Sequence, residues 1–224
     1  MGIHGALMHF YRVVASNLVF LYSIFMKLII FLSLIFSNIA LAKVDKIVVF
    51  KEEREMFLME KGKIVKQYTI RLSLANNNPK FVPGPKRLRG DHQTPVGRYK
   101  ISKKRRNTNY RKSLYINYPN KADIIMGKKN GYSKKQLGDN ILIHGERVTP
   151  APEVVSFAAK FGISRETVDH WAKNYFYPFF DWTDGCIAVN EFEMDEIFDL
   201  VSKNTPIHIY TSKKLGMQKS FKRY

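Results

Sequence analysis

Asp181-Trp-Thr-Asp-Gly-Cys-Ile-Ala-Val-Asn190 holds the chain's only cysteine, Cys186, directly after Gly185 and at the head of a short apolar run. A thiol attacks as its thiolate, so a nucleophilic Cys186 needs a neighbouring base, and histidine titrates in the useful range. Ile141-Leu-Ile-His144-Gly145 supplies one. Both segments read as buried strand ends interrupted by glycine, so adjacent strands would bring the two side chains together despite their separation in sequence. With His144 beside it, the thiol is expected to titrate below the free-cysteine value of about 8.5. Gly185, lacking a side chain, lets a substrate approach the backbone, and the amides around Gly185 and Cys186 are candidates to hold the oxyanion formed on attack.

The pairing of Ile143-His144-Gly145 with Thr183-Asp-Gly-Cys186-Ile-Ala-Val resembles the L,D-transpeptidase catalytic domain of the YkuD type, which cross-links bacterial peptidoglycan through a cysteine thioester. Gly84-Pro-Lys-Arg-Leu-Arg-Gly-Asp91-His-Gln-Thr-Pro95-Val-Gly-Arg-Tyr99 is similar to that family's GPK…GDxxTPxGxY segment. The two motifs stand in the family's order and cover most of the chain after residue 45. Three features depart from the commonest pattern. Thr183-Asp184 replaces Ser-His before Gly-Cys, Ala188 replaces an arginine, and His144 and Cys186 lie 42 positions apart, with helix-like sequence between them. The first two resemble a Gram-negative subgroup with a DWTxGCIAV signature.

The resemblance implies a mainly β fold, the mixed β sandwich of this family, with a helical insertion at 150–178 and a short helix after the cysteine. The residue pattern agrees. Lys46–Phe50, a hairpin turning at Lys61-Gly62, Arg98–Ile101, Ser113–Asn117, the His144 segment and Pro206–Tyr210 read as strands. Residues 127–138 read as a Gly/Lys-rich loop. In the insertion, Pro152 opens one helix and Ser164 caps a second, whose Val168, Trp171, Ala172 and Tyr175 share a face expected to pack beside the catalytic groove. A DNA-binding helix-turn-helix has similar spacing, but the leader described next sends the chain out of the cytoplasm. His170 falls on the polar side. Asn190 and Glu193 form a capping box for the last helix, Glu191 to Lys203.

Ahead of these elements, Met26-Lys27, an apolar run to Phe36 and Ala40-Leu-Ala42 have the layout of a signal peptide. Residues 1–42 are therefore read as a leader, with the signal peptide at 26–42 and an uncleaved membrane anchor as the alternative. The catalytic domain spans 43–212, and 213–224 form a basic tail. The expected location is the periplasm. Arg12 and Lys27 are the only charged side chains in the leader, so +16 of the net +18 charge of the 224-residue chain stays with residues 43–224, the basic tail included. Such a field favours polyanions, whether nucleic acid, anionic lipid or a carboxylate-rich wall. The basic residues lie between motifs rather than in one stripe, which reads as a solvated surface that keeps the protein near the wall, and with a signal peptide no nucleic-acid partner is expected. A lone cysteine in an oxidising compartment makes no intramolecular disulfide. With scattered histidines it offers no metal-ligand spacing either, and no cofactor is expected.

For the site, the resemblance implies a peptidoglycan stem peptide as donor. Cys186 attacks the carbonyl of its third residue, diaminopimelate in Gram-negative walls, and His144 protonates the departing D-alanine. Gly145 orients His144 through its carbonyl. Thr183, Asp184, Lys86, Arg89 and Asp91 are candidate substrate contacts, with Asp184 alternatively holding the Gly185 turn and Asp91, like Thr94, alternatively shaping a turn. The acceptor is an amine of a second stem, an amine of a wall-linked lipoprotein, or water. The first two outcomes make a transpeptidase and the third a hydrolase; a non-catalytic cationic wall-binding module is the remaining class.

Overall fold

Short alternating strands dominate the chain from residue 44 onward, and their pairing generates one curled sheet. The structure, a computed structural model, describes residues 21–29, 44–73 and 86–214. Residues 21–29 are helical and belong to a separate unit, Met1–Leu41. The expected cleavage site at Ala40-Leu-Ala42 and most of the leader lie outside the described residues. No helix among the described residues is long and apolar enough to cross a membrane.

The second unit contains β1 (Lys46–Phe50), β2 (Glu55–Glu60), β3 (Lys63–Thr69), β4 (Gly97–Thr108) and β5 (Arg111–Ile116). Next come β6 (Leu142–His144), β7 (Ile187–Ala188) and β8 (Pro206–Tyr210). They form a single eight-stranded sheet in the order β3-β2-β1-β8-β4-β5-β6-β7, in which only β1 with β8 and β6 with β7 run parallel. The edges then meet. Arg71, just beyond β3, exchanges hydrogen bonds of 2.8 and 2.9 Å with Ala188 of β7, so the two edge strands of the sheet are tied and it curls on itself. The expected β fold with a helical insertion and a short following helix is present, and the faces of its sandwich belong to one sheet. Ile47, Met56, Leu58, Ile101, Leu114, Ile143 and Ile187 fill the core with no solvent exposure, each worth roughly 1.5–3 kcal/mol of apolar burial.

The residues read as loop at 127–138 carry the end of one helix, α1 (Lys121–Lys129), and the whole of another, α2 (Lys134–Leu137). Capping outweighs the glycine and lysine content: Asn120 with Asp123 and Ser133 with Gln136 each close a capping box. Gly127 sits inside α1 because a Cβ there would lie 2.8 Å from the Leu137 side chain of α2. The insertion contains α3 (Pro152–Ala159) and α4 (Arg165–Trp171), followed by a π-helical turn at Ala172–Phe176. Val168 and Ala172 are buried as expected, whereas Trp171 and Tyr175 are more than half exposed. After β7, the Asn190–Glu193 capping box starts α5 (Glu191–Leu200), and Met194, Ile197 and Phe198 fasten it to the core. Lys213, assigned to the basic tail, is held by Glu53 and Glu55; residues 215–224 lie outside the described part.

Candidate active site

The parallel pairing of β6 with β7 sets Ile143 opposite Ile187 and His144 opposite Ala188. Side chains alternate faces along a strand, so continuing the register by one pair puts Cys186 beside Leu142, on the face that carries His144. Leu114, Ile143 and Ile187 point from the opposite face into the core. The two residues singled out from the sequence are therefore brought together by strand pairing.

Five contacts fix the turn that carries Cys186. Asp181 accepts the Leu72 amide at 2.8 Å and forms an ion pair with Arg54 at 2.7 Å, while the Leu72 carbonyl accepts the amides of Trp182 and Thr183. The Thr183 hydroxyl donates to the Cys186 carbonyl at 2.8 Å and closes the turn. Gly185 then adopts φ +100°, a region L side chains rarely occupy. A Cβ at Gly185 would lie 2.7 Å from the Gln93 carbonyl oxygen. The missing side chain thus admits the backbone of His92–Gln93, which seats one motif loop against the other. His92 and Asp184 join the same two loops at 2.9 Å.

The Cys186 thiol donates to the Asn140 carbonyl at 3.6 Å. Burial pushes the thiol up to about 11; the Leu142 amide and the Lys86 charge oppose this and Asp184 adds to it. The expectation of a thiol titrating below the free value is overturned, because desolvation outweighs every favourable contact. His144 is 1% exposed, and burial lowers its imidazole to about 4. Its Nδ1 lies 2.7 Å from the Gly145 carbonyl oxygen. A carbonyl only accepts, so Nδ1 carries the hydrogen and Nε2 is left as the basic nitrogen. The pair rests as thiol and neutral imidazole.

Two aromatic residues that the sequence reading passed over pack on His144, and a third backs one of them. Tyr110, at the β4–β5 turn, stacks on the imidazole at 3.8 Å between centroids, and Trp182 meets it edge-on at 5.5 Å. Tyr177, at the end of the insertion, packs on Trp182 at 4.6 Å. Trp182 was visible in the motif, but nothing local to Tyr110 or Tyr177 signals their placement. Trp182 Nε1 is buried without a hydrogen-bond partner among the described residues.

The remaining candidates divide by environment. Lys86 turns inward, 5% exposed in its side chain, onto Asp91 at 2.8 Å and the Leu88 carbonyl. Burial would raise the Asp91 carboxyl, but bonds from Lys86 and from the Leu88, Arg87 and Gln93 amides hold it below the usual carboxylate value. Asp91 and buried Thr94 therefore shape the loop, and Lys51 secures it by donating to the Thr94 carbonyl at 2.8 Å. Arg89 is exposed and pairs with Asp139 at 3.1 Å, beside Asn140. Among the described residues no cluster of three or more metal-ligating side chains occurs.

The sequence model of the YkuD family, the L,D-transpeptidase catalytic domain, matches residues 45–209. No curated protein matches the chain. Solved structures that resemble it include the helical cell shape determining protein Pgp2 from Campylobacter jejuni, at 20% identity and TM-score 0.48, covering 76% of this chain and 48% of that one. Another is Bd1075 of Bdellovibrio bacteriovorus, at 17% identity and TM-score 0.45, covering 82% and 56%. An L,D-transpeptidase from Mycobacterium tuberculosis gives 13% identity and TM-score 0.41, covering 75% and 57%. The chain spans about half the length of these proteins.

Proposed function

The chain belongs to the L,D-transpeptidase catalytic-domain family, and on that premise we propose that it is an exported cysteine acyltransferase acting on peptidoglycan stem peptides. The observation that supports this most is the β6–β7 register. It sets Cys186 on the face of His144, whose free Nε2 is defined by the Gly145 bond.

In the proposed reaction Sγ attacks the carbonyl of the third residue, diaminopimelate, as the thiol proton passes to His144 Nε2. Backbone amides around Gly185 and Cys186 hold the oxyanion. The C–N bond breaks, the proton moves from His144 to the leaving D-alanine amine, and a thioester remains. An acceptor amine from a second stem or a wall-linked lipoprotein then gives its proton to His144 and displaces the thiol, which recovers a proton. Because the thiol and imidazole both rest neutral, proton transfer accompanies attack on bound substrate.

The test is product analysis of purified muropeptides incubated with the protein. Cross-linked dimers and free D-alanine support transfer. Tripeptide without dimer identifies a hydrolase, and no change with either wild type or Cys186→Ser identifies a non-catalytic wall-binding module.

A further inference from the structure

Strand pairing sorts the basic residues of β4 and β5 onto two faces. Lys104 lies opposite Leu114 and Arg106 opposite Lys112, on the core side of the sheet, where all three cations sit over the Phe198 ring of α5. The helix answers their charge. Asp199 pairs with Arg106 at 3.7 Å, Asp195 pairs with Lys112 at 2.8 Å, and the Val201 carbonyl just after the helix accepts Lys104 at 2.6 Å. Lys103 lies opposite Tyr115 and Arg105 opposite Ser113, on the other face. Arg98 and Lys100 share that face, because Tyr99 and Ile101 point into the core and the register shifts between Ile101 and Lys103.

Arg98, Lys100, Lys103 and Arg105 therefore form one ridge along β4. All four are exposed, and none has a carboxylate partner among the described residues. Asp91 and Asp123 are the only acidic side chains between Lys86 and Leu137, and both are bonded elsewhere, Asp91 to Lys86 and Asp123 to Tyr99 and Asn120. Tyr115 holds two of the head groups over the strand, with Lys103 Nζ at 5.8 Å and the Arg105 guanidinium at 5.7 Å from its ring centroid. Side chains two positions apart on a strand are about 7 Å apart, so these like charges repel. An anionic chain laid along the strand relieves that repulsion.

The ridge shares its face with the nucleophile. Ser113 lies opposite His144, and Tyr115 lies opposite Leu142, the neighbour of Cys186. Two rows thus cross the sheet, His144–Ser113–Arg105 and Cys186–Leu142–Tyr115–Lys103. With strands about 4.8 Å apart, Arg105 stands roughly 10 Å from His144 and Lys103 roughly 14 Å from Cys186. From Arg98 to Arg105 the ridge then runs about 20 Å further along β4, beyond the reach of a single four-residue peptide bound at the thiol. We infer that Arg98, Lys100, Lys103 and Arg105 form a docking ridge for the carboxylates of neighbouring stems on the assembled wall, separate from the residues that carry the chemistry. The inference takes the identity of the polymer from the stem-peptide reading of the site. A lipid surface fits the geometry less well, because a bilayer on this ridge would also press against the face that carries Cys186.

The test is cosedimentation of the purified protein with insoluble peptidoglycan sacculi at low salt, comparing two variants that lose the same charge. One combines Arg98→Gln, Lys100→Gln, Lys103→Gln and Arg105→Gln. The other combines Lys121→Gln, Lys128→Gln, Lys129→Gln and Lys134→Gln on α1 and α2. The ridge variant should bind sacculi about tenfold or more weakly, the helix variant should stay within about twofold of wild type, and added salt should erase the difference. Equal losses in the two variants would make net charge the cause and overturn the ridge, as would sacculus binding that the ridge variant retains. Wild type that sediments with phosphatidylglycerol–phosphatidylcholine vesicles more strongly than with sacculi would overturn it in favour of a lipid surface. Acylation of Cys186 by a free tetrapeptide, measured on the same wild-type sample, keeps the two readings apart: its absence strikes the stem-peptide chemistry, while the sacculus comparison alone decides the ridge.

Discussion

Gly185→Ala should damage the fold and the chemistry together. At φ +100° an L residue pays roughly 1–3 kcal/mol for its backbone conformation. The new methyl would also lie 2.7 Å from the Gln93 carbonyl oxygen and 3.2 Å from its carbon, so a backbone rather than a flexible side chain must move. Relieving that contact separates the loop carrying His92 and Gln93 from the turn carrying Cys186. We expect a total loss of about 3 kcal/mol, in the range of overpacked sites. For a domain of this size each kcal/mol shifts Tm by roughly 2–4 °C, which gives a drop of about 6–12 °C. Thermal melts followed by circular dichroism would measure it, with thiol acylation by a tetrapeptide recorded well below the transition. Acylation should fall by about 10²–10³, as when an oxyanion donor is displaced. A variant that melts within a degree of wild type and acylates at its rate would refute both the close approach to Gln93 and the role given to the amides.

Other consequences are separately measurable. Iodoacetamide alkylation of Cys186 should accelerate with pH well past the free-cysteine value of about 8.5, because burial holds the thiol near 11; a plateau below 8.5 would contradict the desolvated thiol. His144 titrates near 4 in the fold and near 6.5 when unfolded, so between those values the unfolded chain binds the extra proton and stability falls as pH falls. The full loss is about 3 kcal/mol. Denaturant titrations at pH 7 and pH 4.5 should show it, and His144→Gln should remove that part of the slope. Asp181→Ala would leave Arg54 and the Leu72 amide without their carboxylate, at a cost of about 3–5 kcal/mol. Urea unfolding that moves by less than 1 kcal/mol would show that Asp181 does not anchor the turn.

The sequence revealed those parts of the site that rest on local rules. Glycine beside cysteine, glycine beside histidine and the apolar runs around them located two strand ends, and the register of β6 with β7 joined them. The Asn190 capping box also needed only four residues. Contacts made at long range were not legible: Tyr110 reaches His144 across a hairpin, and Asp181 meets Arg54 across 127 positions. Lys86 was read as facing substrate because charge alone does not reveal a partner such as Asp91. The thiol was misjudged for a related reason, since a histidine neighbour can be inferred from a motif but desolvation depends on everything packed around the sulfur. Trp171 and Tyr175 share a helical face with Val168 and Ala172, yet the insertion buries only the latter pair.

Intact-protein mass spectrometry after brief incubation with a diaminopimelate tetrapeptide tests the central claim most directly. The account predicts one acyl adduct, formed with release of D-alanine, mapped to Cys186 and labile to hydroxylamine. It should be absent in Cys186→Ser and slowed in His144→Ala. Release of D-alanine that persists in Cys186→Ser, or an adduct mapped elsewhere, would contradict it.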